Sequence, residues 1–413
     1  MVLLQIEKEA SGSEGKWQHG FRTGHSTTTA LLELQSAIAE GLDKNKLVTV
    51  YSTDLTAAFD LLRPAMFLKE VDGTLSKELE CAVMDFLSNR KMIVEIEGNR
   101  SKEYKLDVGC VQGSSLGPRL FTLYCKNLQA KVQCRMVTYA DDSYVIISSD
   151  TLEEAKEEVK KISARHISEL SRLGMVVNKE KTEVVVFTRK GNIIEEFSID
   201  GQLVKSKDKL KALGLIIDQN LSWKEQVMCV CAKMRNKLSV LRHLRPMFSQ
   251  SQFQKIATAQ VFSGLYYGSG VWMTPSLNAN LWRQLNSLHY WVMRLILKDY
   301  RNRIPRWKIN QLADRATPKE WARYSTGSII IKVCRNKQPI DLYETIHRNM
   351  YFERRYPHTP KFFENSERKI GKQSIHNRAT FMNTLGPWYN QDFTDHAIRI
   401  LLKSAFFATR RNN

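Results

Sequence analysis

The sequence has no apolar run long enough to cross a membrane, and the apolar start within residues 1–8 is too short for a secretion signal. Its seven cysteines are odd in number and scattered, without the spacing of a disulfide framework. Cys229 and Cys231 are separated by one residue, but no second Cys or His pair follows at zinc spacing. We therefore expect an intracellular protein with free thiols and no membrane partner. Nothing in the sequence separates nucleus from cytoplasm or indicates an oligomeric state.

Acidic residues are scarce in the second half of the chain. Residues 221–413 contain 32 of the 62 Lys and Arg residues but 11 of the 43 Asp and Glu residues, so the formal charge of +19 is concentrated there. Such an excess suits phosphate binding, and a merely soluble basic surface is the alternative.

The length of 413 residues predicts two or three domains. The hydrophobic pattern changes from strand-like to helical near residue 220, and residues 1–16 are predicted to be a disordered leader.

Two adjacent carboxylates stand out in the stretch Tyr139-Ala140-Asp141-Asp142. Strand-forming runs, residues 136–138 and 143–147, flank it, so the pattern predicts a β-hairpin with both carboxylates at its tip. Neighbouring carboxylates repel and are costly to desolvate unless a cation lies between them, and a divalent metal meets that need. The alternative is a solvated turn, since aspartate is a favoured turn residue.

A further carboxylate, Asp54, ends the apolar strand predicted at residues 47–51. A strand fixes the position of a side chain at its end, as an active site requires. The alternative is an aspartate that caps the following helix, a role that Asp60 fits better. Residues 109–118 then form a glycine-rich loop whose backbone can approach a ligand closely, although one such loop is weak evidence.

Basic residues suggest two regions of nucleic-acid contact. Arg22 lies in a small-residue turn before a predicted helix and is either a phosphate contact or a surface arginine. In the second half, cations alternate with an aromatic side chain in the set Arg301, Arg303, Arg306, Trp307 and Lys308. Phosphate and base contacts use this combination, but it is also ordinary on solvated helix faces.

Six segments in order resemble the reverse transcriptases of non-LTR (LINE-type) retrotransposons. The resemblance covers roughly residues 17–300, and its motifs are residues 21–27, 54–60, 109–121, 139–142, 178–187 and 213–215 with Trp223. Any one of these motifs is weak, whereas six in order with sensible spacing are strong. No endonuclease, RNase H or zinc-knuckle signature accompanies them.

The resemblance implies an α+β fold. Its reverse-transcriptase palm, an antiparallel sheet with helices on one face, would occupy residues 17–220 together with a remnant of the fingers. An all-helical basic thumb at residues 221–300 and a basic helical C-terminal region at residues 301–413 would follow. Residues 1–16 do not resemble the family's fingers, so the resemblance implies an N-terminally truncated chain that is weakly active or inactive by itself.

The resemblance also implies an RNA-directed DNA polymerase that uses two Mg²⁺ ions, with Mn²⁺ as a substitute. Its partners would be an RNA template, a DNA primer and deoxynucleoside triphosphates. Asp54, Asp141 and Asp142 would be catalytic and would bind the metal ions together with Leu55. The nucleotide-binding residues would be Phe59, which excludes a 2′-hydroxyl by its bulk, Gln112, Gly113 and Lys181, with Lys181 near the triphosphate. The alternative is a non-catalytic remnant that still binds nucleic acid through its basic half.

Overall fold

The computed structural model describes residues 1–313, 315–348, 350–353, 356–362, 382 and 402. The chain divides into two compact units. The first unit comprises Met1–Ala30 and Asn45–Asp208, and the second comprises Leu31–Lys44 and Lys209–Asn413. The chain therefore crosses the division three times: inside the second helix, between residues 44 and 45, and just before residue 209.

The first unit contains a four-stranded sheet, several short hairpins and the longest helix of its half. Its strands are β1 (Leu47–Thr53), β2 (Leu55–Thr56), β3 (Arg90–Met92), β4 (Glu95–Ile96), β5 (Asn99–Arg100), β6 (Tyr104–Leu106), β7 (Arg135–Tyr139), β8 (Asp142–Ser149), β9 (Val176–Val177), β10 (Glu183–Phe187), β11 (Glu196–Ile199) and β12 (Gln202–Lys205). Its helices are α1 (Val2–Glu9), α3 (Pro64–Val71), α4 (Lys77–Leu87), α5 (Gly117–Tyr124), α6 (Leu128–Val132) and α7 (Leu152–Arg172), while α2 (Thr27–Asp43) spans the division.

The main sheet has the strand order β10-β1-β8-β7, and every neighbouring pair is antiparallel. Because side chains alternate across a strand, Tyr51, Val145 and Val184 share one face and join the core formed with the helices. On this face the Tyr51 hydroxyl lies 3.2 Å from Nδ1 of His166 on α7. The predicted palm-like sheet with a helix-covered face is thus confirmed. On the opposite face, Val50 and Val185 are fully buried as well.

The prediction of a disordered leader at residues 1–16 is wrong. Residues Val2–Glu9 form α1, and Ile6 is fully buried in the core of the first unit. The carboxylate of Glu9 accepts a hydrogen bond from the backbone N–H of Ser76 at 2.8 Å. The polar composition of the segment suggested disorder, but burial of its few apolar side chains against α4 orders it.

The second unit is mainly helical. Its described elements are α8 (Lys224–Leu244), α9 (Gln250–Ala257), a π-helical turn at Thr258–Phe262, α10 (Ser263–Tyr266), α11 (Ser269–Trp272), α12 (Ala279–Ile296), α13 (Arg306–Leu312), α14 (Pro318–Asn336) and α15 (Ile340–His347), with strands β13 (Lys209–Ala212), β14 (Leu215–Asp218), β15 (Met350–Glu353) and β16 (Tyr356–Phe362). Helices α8 and α12 pack against each other. At the end of α8, the buried Arg245 guanidinium donates to the carbonyls of Leu295 and Ile296 in the last turn of α12.

Two predictions for this half need correction. The boundary falls before residue 209 rather than near 220, because the β13–β14 hairpin packs on α8: the Gln226 side chain accepts a hydrogen bond from the Ile216 amide at 2.9 Å. The region after residue 300 is not all helical, since β15 and β16 pair antiparallel. The remainder of the predicted basic helical region, from residue 363 apart from Met382 and Leu402, lies outside the described residues. Within the described part, no helix is long and apolar enough to cross a membrane.

Candidate active site

Asp54 and Asp142 are placed side by side by the register of the main sheet. Thr53, the last residue of β1, pairs with Ser143 of β8. Asp54 comes directly after Thr53 and Asp142 directly before Ser143, so the two aspartates are neighbours across the antiparallel pair. Asp141 belongs to the two-residue turn between β7 and β8, whose last pair is Tyr139 with Asp142. The structure thus confirms the predicted hairpin and brings all three acidic residues to one end of neighbouring strands.

The ammonium of Lys181 lies against Asp54, with Nζ 2.9 Å from Oδ2. Pairing of β10 with β1 carries Lys181 there, since Ser52 is opposite Glu183. The backbone carbonyl of Asp54 accepts a hydrogen bond from the Asn178 amide at 2.8 Å. Both the backbone and the carboxylate of Asp54 are therefore held by the segment that precedes β10. The ion pair itself is solvent-exposed and adds little to stability.

Burial and mutual repulsion make two of the carboxylates poor acids. Desolvation first, and then the charges of Asp141 and Asp54, raise the pKa of Asp142 to about 6. Desolvation and the Asp54 charge also raise the pKa of Asp141, while Lys181 lowers the pKa of both groups. Their conjugate bases are unstable here because negative charge is concentrated with one ammonium to offset it.

This donor set fits a divalent cation. Oxygen ligands from several carboxylates are what Mg²⁺ and Mn²⁺ prefer, and the site has more carboxylates than cations to balance them. In the described part of the chain, no three His, Cys, Asp or Glu side chains form a group that could hold an ion as they stand. The Lys181 ammonium provides the positive charge next to Asp54. Leu55 is buried and pairs with Val177 in β2–β9, so any metal contact from this position would be through its backbone carbonyl.

The glycine-rich loop is fastened to the turn that follows Asp54. The Gly109 amide donates to the carbonyl of Leu62 and the Cys110 amide to that of Phe59, at 2.7 and 2.9 Å. Gly109 has a φ of 90°, and a Cβ there would lie 2.9 Å from the Asp60 carbonyl oxygen, so this close approach requires glycine. Gln112, exposed like Gly113, donates from Nε2 to Oδ1 of Asp60 at 2.8 Å. The structure therefore places Gln112 against Asp60, the residue after Phe59, and the nucleotide-binding role of Gln112 and Gly113 stays a prediction.

The ring of Phe59 is held in place by two other aromatic rings. It stacks on Phe121 of α5 with centroids 4.8 Å apart, and Phe21 meets it edge-on at 5.9 Å. Phe59 is half-buried, whereas Phe21 is exposed. A ring packed in this way forms a rigid wall beside the loop.

Arg22 does not have the surroundings of a phosphate contact. Its guanidinium donates to the carbonyls of Gly15 and Gln18, at 2.7 and 3.0 Å, and lies 3.9 Å from a carboxylate oxygen of Glu14. About 10% of its side chain is exposed. We therefore assign Arg22 a structural role in the turn that precedes α2.

The predicted basic segment belongs to the second unit and is exposed. Its backbone is fixed by the buried Asp299, whose carboxylate accepts hydrogen bonds from the amides of Arg303 and Ile304 at 2.8 and 3.1 Å. Helix α13 starts at Arg306, and 75% of the Trp307 side chain is exposed. Arg301, Arg303, Arg306 and Lys308 are exposed as well. This presentation is compatible with nucleic-acid binding, which stays a prediction.

Sequence reasoning missed Gln18. Its side chain is 2% exposed and its amide group contacts the backbone of Ala140 in the turn that carries Asp141. A buried glutamine is unusual, but no local pattern in the sequence distinguishes it from a surface glutamine.

Curated relatives come from mobile elements. The chain is 25% identical over 285 residues to the RNA-directed DNA polymerase from mobile element jockey of Drosophila funebris, covering 66% of this chain and 31% of that protein. It is 25% identical over 274 residues to the probable RNA-directed DNA polymerase from transposon X-element of Drosophila melanogaster, with 64% and 30% covered. The chain thus spans about a third of the length of these relatives.

Solved structures similar to this chain include telomerases. One is telomerase from Candida tropicalis in complex with a TWJ fragment of telomeric RNA, at a TM-score of 0.41 and 12% identity, covering 98% of this chain and 56% of that one. Another is telomerase from Candida albicans with a TWJ fragment, at 0.39 and 13%, covering 76% and 58%. The family model described as reverse transcriptase (RNA-dependent DNA polymerase) matches residues 2–217, over half of the chain. With its aspartates at the ends of neighbouring strands, the chain belongs to the reverse transcriptase family.

Proposed function

We propose that this chain is the polymerase region of a non-LTR retrotransposon protein and extends a DNA primer on an RNA template. The observation that carries the proposal is the meeting of Asp54, Asp141 and Asp142 beside Lys181. The relatives named as RNA-directed DNA polymerases of mobile elements support it. The substrates would be deoxynucleoside triphosphates.

Asp54, Asp141 and Asp142 would hold two Mg²⁺ ions, with the Leu55 carbonyl as an additional oxygen ligand. When bound, such ions offset the negative charge that develops on the transferred phosphoryl group and lower the pKa of the primer hydroxyl. The carboxylates supply oxygen ligands fixed by the sheet, so little reorganisation is needed during the reaction.

The remaining residues would bind and select the nucleotide. Lys181, exposed and close to Asp54, can leave that carboxylate for the triphosphate and offset charge on the leaving group. Phe59 would lie under the sugar, and the loop with Gln112 and Gly113 would support the base pair being formed. Binding of template and primer would rest mainly on the basic second half.

Primer extension tests this function. A labelled DNA primer annealed to an RNA template is incubated with excess protein, deoxynucleoside triphosphates and either Mg²⁺ or Mn²⁺. We expect addition of the nucleotide that the template specifies, and no addition without a divalent metal. Binding of the primer–template with no nucleotide addition under either metal would instead favour the non-catalytic binding remnant, for which the basic half provides a specific reason.

Replacing Phe59 with alanine should relax sugar selection. The substitution removes bulk and no charge, so incorporation of deoxynucleotides should survive in part while ribonucleotides are admitted. We expect the ratio of deoxy- to ribonucleotide incorporation to fall by about 10–100-fold, in line with the ~1–3 kcal/mol that one steric contact contributes to selection. The measurement is single-nucleotide incorporation with matched deoxy- and ribonucleoside triphosphates.

Phe86→Ala is the matched control. Phe86 is a half-buried phenylalanine of α4 that packs on the same core, so its loss destabilises the first unit without altering the proposed sugar wall. Its selection ratio should equal that of the unmodified protein. An unchanged ratio in Phe59→Ala would show that Phe59 is merely a core residue.

A further inference from the structure

The segment that contains Gln18 runs beside the catalytic hairpin. Gln18 forms a parallel bridge with Thr138 of β7. The Thr138 amide donates to the carbonyl of Trp17 at 2.9 Å, and the His19 amide donates to the carbonyl of Thr138 at 2.8 Å. The segment therefore adds to the free edge of β7 immediately before the turn that carries Asp141.

The Gln18 side chain then reaches past this bridge to the turn itself. Its Oε1 accepts hydrogen bonds from the amides of Ala140 and Gly20, at 3.0 and 2.7 Å. Its Nε2 donates to the carbonyl of Ala140 at 3.3 Å. One buried amide group thus satisfies both backbone polar groups of the residue before Asp141.

Ala140 has a conformation that needs such support. Its φ is 56°, in the left-handed region that side chains with a Cβ disfavour. The next residue, Asp141, keeps a negative φ, and this sign pattern is typical of a type II′ hairpin turn, which usually has glycine in the first position. Alanine at that position costs free energy, which favours relaxation of the turn to other conformations, and such relaxation would change the orientation of both aspartates.

Residues on both sides of Gln18 in the sequence support its contact with Ala140. A Cβ on Gly20 would lie 2.4 Å from the Ala140 nitrogen, so glycine permits the close approach of the two segments. From the other side, Arg22 donates to the Gln18 carbonyl, and Glu14 forms an ion pair with Arg119 of α5. These contacts attach the segment around Gln18 to the rest of the first unit, independently of its contact with the hairpin.

We propose that Gln18 is a positioning residue that holds the Ala140–Asp141 turn with the positive φ of Ala140 and so keeps Asp141 and Asp142 placed to hold a divalent metal ion. The consequence for catalysis rests on the proposed function, whereas the effect on the turn does not. Gln18 touches no substrate and acts through the backbone of Ala140.

The test is Gln18→Met, which keeps the side chain's length and removes its hydrogen bonds. Three quantities are measured on the full chain: amide hydrogen exchange in residues 136–146, Mn²⁺ affinity by electron paramagnetic resonance, and primer extension. We expect exchange at the hairpin tip to rise at least tenfold, Mn²⁺ binding to weaken about tenfold, and the maximal extension rate to fall about 10–100-fold. The KM for the deoxynucleotide should change little, because the substrate pocket is untouched.

Two further variants keep the test decisive if Gln18→Met folds poorly. Gln18→Glu retains the acceptor for both amides and loses the donor to the Ala140 carbonyl, so its effects should be intermediate. The second variant adds Ala140→Gly to Gln18→Met. The glycine removes the conformational penalty at the turn, so this double variant should regain part of the hairpin protection and Mn²⁺ affinity that Gln18→Met loses. A defect of general folding would not be rescued by a glycine in the turn.

Gln129→Met is the matched control. Its Nε2 donates one hydrogen bond to the Cys134 carbonyl, at the far end of β7 from the turn. This variant should leave exchange at the tip and Mn²⁺ affinity unchanged. Unaltered tip exchange and Mn²⁺ affinity in Gln18→Met would overturn the positioning role. Loss of tip protection in a protein that never extends primers would uphold the role of Gln18 in the turn and refute the proposed function instead.

Discussion

Replacing Asp54 or Asp141 with asparagine should abolish primer extension and leave nucleic-acid binding nearly unchanged. An asparagine keeps the shape of the side chain and removes the charge that would hold the metal ions, whereas duplex affinity comes mainly from Lys and Arg. We expect a loss of at least about a thousandfold in extension rate, equivalent to ~4 kcal/mol in the barrier. Asp142→Asn should be damaging too. Quantitative extension on an RNA template, with affinity measured on the same primer–template, checks this.

Thermal unfolding in EDTA separates loss of chemistry from loss of folding. The folded-state pKa of Asp142 is raised to about 6, so its stabilising effect is present at low pH and lost as the pH rises through 6. At neutral pH the ionised carboxylate is therefore a cost to the metal-free fold, and Asp142→Asn should melt no lower than the unmodified protein. Extension that survives in Asp141→Asn would refute the assignment of the active site.

The affinity of the whole chain for an RNA–DNA primer–template should fall steeply with salt. We expect the excess of basic residues in residues 221–413 to contact several phosphates, and each such contact would release condensed counterions. For about five phosphates the log–log slope is about −4, which lowers the affinity by roughly two to three orders of magnitude between about 50 and 200 mM salt. Fluorescence anisotropy at several salt concentrations measures this slope.

Single charge removals locate the contacts. Arg301→Gln and Arg303→Gln should each make the slope shallower by about one unit if the exposed segment binds phosphate. Lys161→Gln, an exposed lysine of α7 in the first unit, is the matched control and should leave the slope unchanged. A salt-independent affinity of the whole chain would refute phosphate binding by the basic half.

Local patterns in the sequence were enough for the strands and the hairpin that carry the aspartates. Alternating and β-branched residues predicted the strand around Val50 and the two strands on either side of Asp141. The acidic residues between those two strands indicated the tip of a hairpin. Their assembly into one site was implied by the family resemblance. The strands and the hairpin depend on residues close together in the chain, which is why their pattern in the sequence alone could predict them.

Contacts between distant segments decided the rest. The pairing of Lys181 with Asp54 follows from β10 lying beside β1, and the hold of Gln18 on Ala140 follows from an early segment adding to β7. The order of α1 likewise depends on burial of Ile6 against residues far along the chain. Composition and periodicity describe what a segment prefers by itself, whereas these interactions exist only after the sheet has brought remote residues into contact. Tertiary structure therefore determined which polar side chains face solvent and which ones hold the turn that carries Asp141.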